Sequence, residues 1–145
     1  TQFDRLGSTG LAHRSEVDAV FALGSVTDIL HKLEAATDEW SVHTAKVLRA
    51  RSPLMLHVVL QQIRQARTLS LADDLRMERD LVRHCFALRP VAQSETVEGI
   101  RALAVDKDHS PQWQPARAED VDAAEVAAFF VSPWPTHAHP LRDLS

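Results

Sequence analysis

Apolar residues recur along this chain at intervals of three and four, and that spacing predicts helices almost throughout. In "SVTDILHKLEAA", Val26, Ile29, Leu30 and Leu33 fall at i, i+3, i+4 and i+7 and line one helix face. Ser25 or Thr27 would cap its start by accepting a hydrogen bond from a free backbone N–H. "TDEWSVHTAKVLRA" follows, with Trp40, His43 or Thr44, and Val47 on one side. Arg49 and Arg51 lie near the negative end of that helix's dipole. "SPLMLHVVLQQIRQARTL" opens with Ser52 as N-cap and Pro53 at the first helical position, where proline's missing N–H has no partner to lose. In "SLADDLRMERDLVRHCFAL", Ser70 and Asp73 stand at capping-box spacing. Leu71, Leu75, Leu81 or Val82, and Cys85 or Phe86 form the stripe expected to be buried, and Pro90 ends the helix. Shorter helices are expected from about Glu95 to Ala104 and over "AEDVDAAEVAAFF".

Composition supports an all-α fold of about six amphipathic helices. Only 4 glycines and no tyrosine are present, which is poor material for strands and hairpins. With 45% apolar and 25% charged residues over 145 positions, the chain reads as one globular domain, 1–145. Residues 1–15 form an irregular lead-in. The tail 132–145, "SPWPTHAHPLRDLS", is proline-rich and irregular, pinned by Trp134 at most. A net charge of −4 disfavours a nucleic-acid surface, including a helix-turn-helix binder. The longest apolar run, Leu54 to Leu60, is interrupted by His57 and far too short to span a bilayer, so no membrane partner is expected. One cysteine, Cys85, excludes an internal disulfide and suggests a reducing, cytoplasmic setting. "TQFDRLGSTG" carries no signal pattern and no initiator methionine, as in a processed or excised product.

Candidate chemistry is thin. Four scattered glycines cannot build a phosphate loop, and no Ser, His and acid set can be assigned. Cys85 lies on an apolar stripe and reads as core rather than nucleophile. His137 and His139 have metal-ligand chemistry but no accompanying cluster. His31, His43, His57 and His84 fall on different helices and read as ordinary interior or surface histidines. Arg49, Arg51, Arg64 and Arg67 suit either an anionic ligand or a solvated face. No catalytic and no metal-ligating residue is assigned.

One stretch resists the plain helical reading. "EGIRALAVDKDHSPQWQP", residues 98 to 115, starts with Ile100, Leu103 and Ala104 at helical spacing, sets Lys107 between Asp106 and Asp108, and brackets Trp113 with Pro111 and Pro115. Together with Ser52-Pro53, the "LSLADDLRMER" helix and Glu98-Gly99-Ile100-Arg101-Ala102, it resembles the C-terminal part of 3-hydroxyisobutyryl-CoA hydrolases. Those are thioester hydrolases of the crotonase, or enoyl-CoA hydratase/isomerase, superfamily. The resemblance covers about Val17 to Phe130. Two departures accompany it. "SETV" replaces an aromatic or aspartate-containing lead-in to Glu98-Gly99, and Glu78-Arg79-Asp80-Leu81 replaces Glu-Tyr-Arg-Leu.

The resemblance implies helices that normally pack on a ββα spiral core, cover one side of an acyl-CoA site and mediate subunit contacts. That core holds the oxyanion hole and catalytic carboxylates and is not among these residues. The chain alone is therefore expected to be inactive, although the parent protein would be an acyl-CoA thioester hydrolase of valine breakdown. Implied partners are the acyl-CoA substrate, the core domain and further copies of the chain. No covalently bound cofactor is implied, only the coenzyme A moiety of the substrate. Lys107 and Arg101 become candidates to meet CoA phosphates. Gapless matching sets Leu103 at an aromatic position and Asp106 where a lysine stands, with Lys107 adjacent. A salt bridge from Lys107 to Asp106, Asp108 or a subunit neighbour is the plainer role. A region of a related enoyl-CoA hydratase/isomerase, or a stand-alone helical interaction module, are the alternatives.

Overall fold

The computed structural model describes residues 13–145, and among them the chain is all-helical, with seven α-helices and no strand. Residues 1–12 of the expected irregular lead-in lie outside the described residues. The chain divides into two compact units, Thr1–Leu48 and Arg49–Ser145.

The first unit carries α1 (Arg14–Phe21), α2 (Val26–Glu34) and most of α3 (Glu39–Arg49). The helix α1 is the seventh, unforeseen one, and it starts inside the expected irregular segment. Its start is weakly marked because His13, at the N-cap position, makes no side-chain cap bond. In α2 the start is explicit: Ser25 Oγ accepts from the Asp28 N–H at 3.1 Å. Val26, Ile29, Leu30 and Leu33 are all buried, as the periodicity predicts. The inner face of α3 sits one residue away from the expected one. Ser41 and Ala45 are buried, Trp40 and Thr44 are half-buried, and His43 and Val47 are exposed. Small side chains occupy the inner face, while the Trp40 ring lies at its edge and stacks on His13 with centroids 5.8 Å apart.

The second unit is built from α4 (Pro53–Ala66), α5 (Leu71–Ala87), α6 (Glu95–Ile100) and α7 (Ala123–Ala128). Its core joins Leu54, Val58, Leu81, Val126 and Phe129, with Met55, Met77 and Cys85 packed against them. Ser52 caps α4 by accepting from the Met55 N–H at 3.1 Å, with Pro53 next, as expected. The segment "AEDVDAAEVAAFF" is not one helix. A 3-10 turn, Ala118–Asp120, is separated from α7 by extended Val121, which packs on the core. Asp122 restarts the helix by accepting from the Ala124 N–H at 2.8 Å.

The expected stripe of α5 is half wrong. Leu81 is buried and Cys85 half-buried, but Leu71, Leu75, Val82 and Phe86 are exposed, while Asp80 and His84 are buried. The downstream chain causes this by covering the polar side of α5. His84 Nε2–H donates to the Val131 carbonyl at 2.8 Å. The Leu141 N–H donates to His139 Nδ1 at 3.0 Å, which leaves the proton on Nε2 to donate to Asp80 at 3.1 Å. Arg76 donates to the carbonyls of Leu141, Arg142 and Leu144. The tail carries one 3-10 turn, Thr136–Ala138, and is held by more than Trp134.

Leu54 is fully buried at the centre of the second unit's core. Leu54→Ala is expected to destabilise the fold by about 3 kcal/mol, read as a lowered urea midpoint with little change in slope. A loss below about 1 kcal/mol would mean the core is not packed as described.

Candidate functional site

The corner after α5 is organised from its first residue. Ser94 Oγ accepts from the Val97 N–H at 3.3 Å to cap α6, and donates to the Cys85 carbonyl at 3.0 Å. The helix then widens: the Asp106 N–H reaches the Arg101 carbonyl at 2.8 Å, five residues back, across a π-type turn, Arg101–Val105. This widening carries Asp106 and Asp108 round to face Arg101.

Arg101 uses every donor it has. Nε and Nη2 hold the Glu98 carboxylate bidentately, each at 2.8 Å. Nη1 donates to Asp106 at 2.6 Å and Asp108 at 2.7 Å, and Nη2 also reaches the Ser110 carbonyl at 3.2 Å. A guanidinium has five N–H groups, so none remains. The bonds from Arg101, and next the Gln112 N–H, lower the Glu98 pKa from 4.5 to about 2. Asp108 is lowered in the same way, first by Arg101. The three carboxylates raise the Arg101 pKa in turn, Glu98 first.

Lys107 does not take the expected salt bridge to Asp106 or Asp108. Arg101 takes both carboxylates, while Lys107 is exposed and forms no ion pair among the described residues. The backbone explains its position: Lys107 has φ 57° and His109 φ 54°, both left-handed. Each such residue costs on the order of 1 kcal/mol and persists because the Arg101 network over-determines the loop.

Trp113 closes the corner. Its indole N–H points to the Ala50 carbonyl at 3.4 Å, and its ring lies where a Cβ on Gly99 would come within 3.3 Å. Gly99 therefore permits the close approach. Trp113, Met55, Leu56, Val59, Ile100 and Leu103 supply the apolar walls of an open cleft of about 720 Å³. Arg51, Ser52, Glu95 and His109 are among its polar lining residues. Glu95 is buried. It accepts a hydrogen bond from Ser52 Oγ and another from the Gln114 N–H at 2.9 Å, with Arg89 3.8 Å away.

Lys107 and Arg101 thus belong to one corner and differ completely in engagement. Glu95, Arg51 and His109 were not anticipated as cleft residues. Glu95 reads in sequence as an ordinary first-turn acid, and only the return of the chain at Gln114 reveals its burial. Of the other candidates, Arg49 pairs with Glu119 at 2.8 Å, His57 bonds the Ala118 carbonyl at 3.0 Å, and His137 is exposed while His139 pairs with Asp80. Among the described residues no three His, Cys, Asp or Glu side chains form a metal-holding group, and no helix is long and apolar enough to cross a membrane.

The paired carboxylates set an acid limit. Glu98 and Glu119 are both lowered from 4.5 to about 2, each mainly by hydrogen bonds from an arginine. Their stabilising effect is complete above about pH 4.5 and disappears as pH falls towards about 2. Urea midpoints measured between pH 6 and pH 2.5 should fall steeply in the lower half. Glu98→Gln should flatten part of that fall, and an unchanged profile would exclude the pairing.

The comparisons with known proteins agree with the corner's motif. A family model described as Enoyl-CoA hydratase/isomerase matches residues 2–130. "3-hydroxyisobutyryl-CoA hydrolase, mitochondrial" of Dictyostelium discoideum is 37% identical over 117 residues, covering 79% of this chain and 29% of that protein. "Small ribosomal subunit protein mS47" of Arabidopsis thaliana is 34% identical over 128 residues, covering 85% of this chain and 31% of that one. The crystal structure of an enoyl-CoA hydratase from Rhodobacter sphaeroides superposes with a TM-score of 0.75 at 29% identity, over 84% of this chain and 35% of that chain. The chain spans about a third of the length of the curated relatives it matches, namely 35%, 32% and 29% for three of them. On the family match and these likenesses together, the chain belongs to the enoyl-CoA hydratase/isomerase family of the crotonase superfamily.

Proposed function

We propose that the chain is the C-terminal helical region of a 3-hydroxyisobutyryl-CoA hydrolase-like thioester hydrolase. In this reading it covers one side of the acyl-CoA site of a ββα core and joins subunits, and it carries no catalytic residue of its own. The observation that carries the reading is the open apolar surface of α4, α6 and the π-type turn, together with the hydrolase relatives. Val59, Ile63, Ile100 and Leu103 are all exposed, and three of them line a ligand-sized apolar cleft. A face of this kind calls for a cover, and the core domain or another copy of the chain supplies it.

The chemistry assigned to the core is not duplicated here. Thioester hydrolysis develops negative charge on a carbonyl oxygen, which fixed N–H donors stabilise while a carboxylate handles the proton of water. The nearest hydroxyl–carboxylate pair, Ser52 and Glu95, is engaged in structure. Ser52 accepts from the Met55 N–H while donating to Glu95, and Glu95 also holds the Gln114 N–H. Arg101, with five donors engaged, holds the loop, and Lys107 is the cation that meets CoA phosphates. One cysteine suits a reducing compartment, whether the cytoplasm or, as the name of the Dictyostelium relative suggests, a mitochondrion.

A second reading, a stand-alone interaction module, is favoured by the relative named as a ribosomal subunit protein. Calorimetric titration of CoA into the chain separates the two. The hydrolase reading expects weak binding that Lys107→Ala reduces roughly two- to fivefold, the size of one exposed ion pair. The module reading expects no heat and no effect of the substitution. Cleavage of 3-hydroxyisobutyryl-CoA by the purified chain would overturn the non-catalytic assignment.

A further inference from the structure

Away from the cleft, α5 and the tail build a cationic feature that the family reading leaves unused. Arg79 and Arg83 stand one helical turn apart, and both guanidiniums lie over the same indole, that of Trp134, at 4.9 and 5.1 Å from its centroid. The ring is itself held, edge-on to the His139 imidazole at 5.4 Å and between Pro133 and Pro135. His139 is anchored to buried Asp80, and Arg76 ties down the carbonyls that follow.

The charges around this ring do not cancel. Arg76 pairs with Asp73 at 2.7 Å, and Asp80 serves His139. Neither Arg79 nor Arg83 forms an ion pair among the described residues. A cation–π contact with the ring engages no guanidinium N–H as a hydrogen-bond donor to an acid, and it orders the side chain in advance. Two such forks held at one ring match the oxygens of a tetrahedral anion better than two flexible lysines would. The feature also lies where this chain goes its own way. Arg79 and Asp80 replace the tyrosine and arginine of the resemblance pattern, and Trp134 and His139 follow the last residue of the family match, 130.

We propose that Arg79, Arg83 and Trp134 form a binding site for a phosphate group. The group belongs either to a small phosphate compound or to a phosphorylated side chain of a partner. Each phosphate oxygen accepts from in-plane guanidinium N–H groups, and the indole keeps both forks in place.

The test is a titration of the isotope-labelled chain with inorganic phosphate at constant ionic strength, followed by NMR of the Trp134 indole and arginine Nε–H signals. Saturable shifts in the millimolar range are expected, because the site is open and the probe small. Arg79→Gln and Arg83→Gln should each weaken binding about fivefold or more, and Arg79→Lys should weaken it too, since charge without the planar fork is insufficient. Arg117→Gln should change nothing, and an unshifted Trp113 indole would show that the fold persists. A peptide carrying one phosphoserine forms the second arm. Binding about tenfold tighter than inorganic phosphate assigns the site to a phosphorylated partner, and equal affinity assigns it to small phosphate compounds. Absence of saturable shifts, or equal binding by the doubly substituted chain, would overturn the proposal.

Discussion

A single buried carboxylate, Glu95, ties together the parts of the second unit that frame its cleft. It accepts from the hydroxyl of Ser52, which caps α4, and from the Gln114 N–H, which belongs to the proline corner. Arg89, just beyond α5, faces it at 3.8 Å and also holds the Gln114 carbonyl at 2.8 Å. Burying a carboxylate is unfavourable unless hydrogen bonds and charge compensate it. Three chain segments far apart in sequence must therefore converge on Glu95 together. Trp113 can lie on Gly99 and α6 can flank α4 because that convergence sets the distance between them.

Within the frame, Arg101 converts a strained loop into a rigid one. Left-handed backbone at Lys107 and His109 is unfavourable for side chains of their size. The compensation is electrostatic: three carboxylates and a carbonyl surround one guanidinium whose geometry fixes where each must stand. A rigid loop with three acids and one fully engaged arginine presents little positive field of its own. Lys107, turned outward by the backbone that the network enforces, is what remains to face solvent with positive charge. Rigidity and exposure of the lysine are two consequences of one arrangement.

Local signals were legible in the chain and non-local ones were not. Ser25, Ser52 and Ser70 mark helix starts because a cap is decided within three residues, and each does accept from the third N–H downstream. The four-residue stripe of α2 was also readable, since the buried residues of that helix are all apolar. The stripe of α5 misled because Asp80 and His84 find partners about 50 residues or more downstream, at His139 and Val131. Periodicity counts apolar residues and cannot see that a buried aspartate has been supplied with an imidazole. The same blindness applies to the corner. The motif identified its place in the family, but a widened helical turn decides that Arg101 rather than Lys107 takes the acids.

The two proline-bracketed tryptophans show how similar local sequence can be put to different use. Trp113, inside the family match, faces inward on Gly99, and its partner is a missing side chain. Trp134, beyond the match, meets the side chains of α5, and its partners are two arginines and a histidine. Proline restricts the backbone in both, so little further entropy is lost when either ring is ordered. What differs is the surface each ring finds. A glycine lets the first close a packing corner of the shared scaffold. A row of arginines turns the second into a support for positive charge. The scaffold side answers to the family's architecture, while the arginine side draws on α5 and the tail, with Ala50 and Gly99 at the first ring and Arg79, Arg83 and His139 at the second.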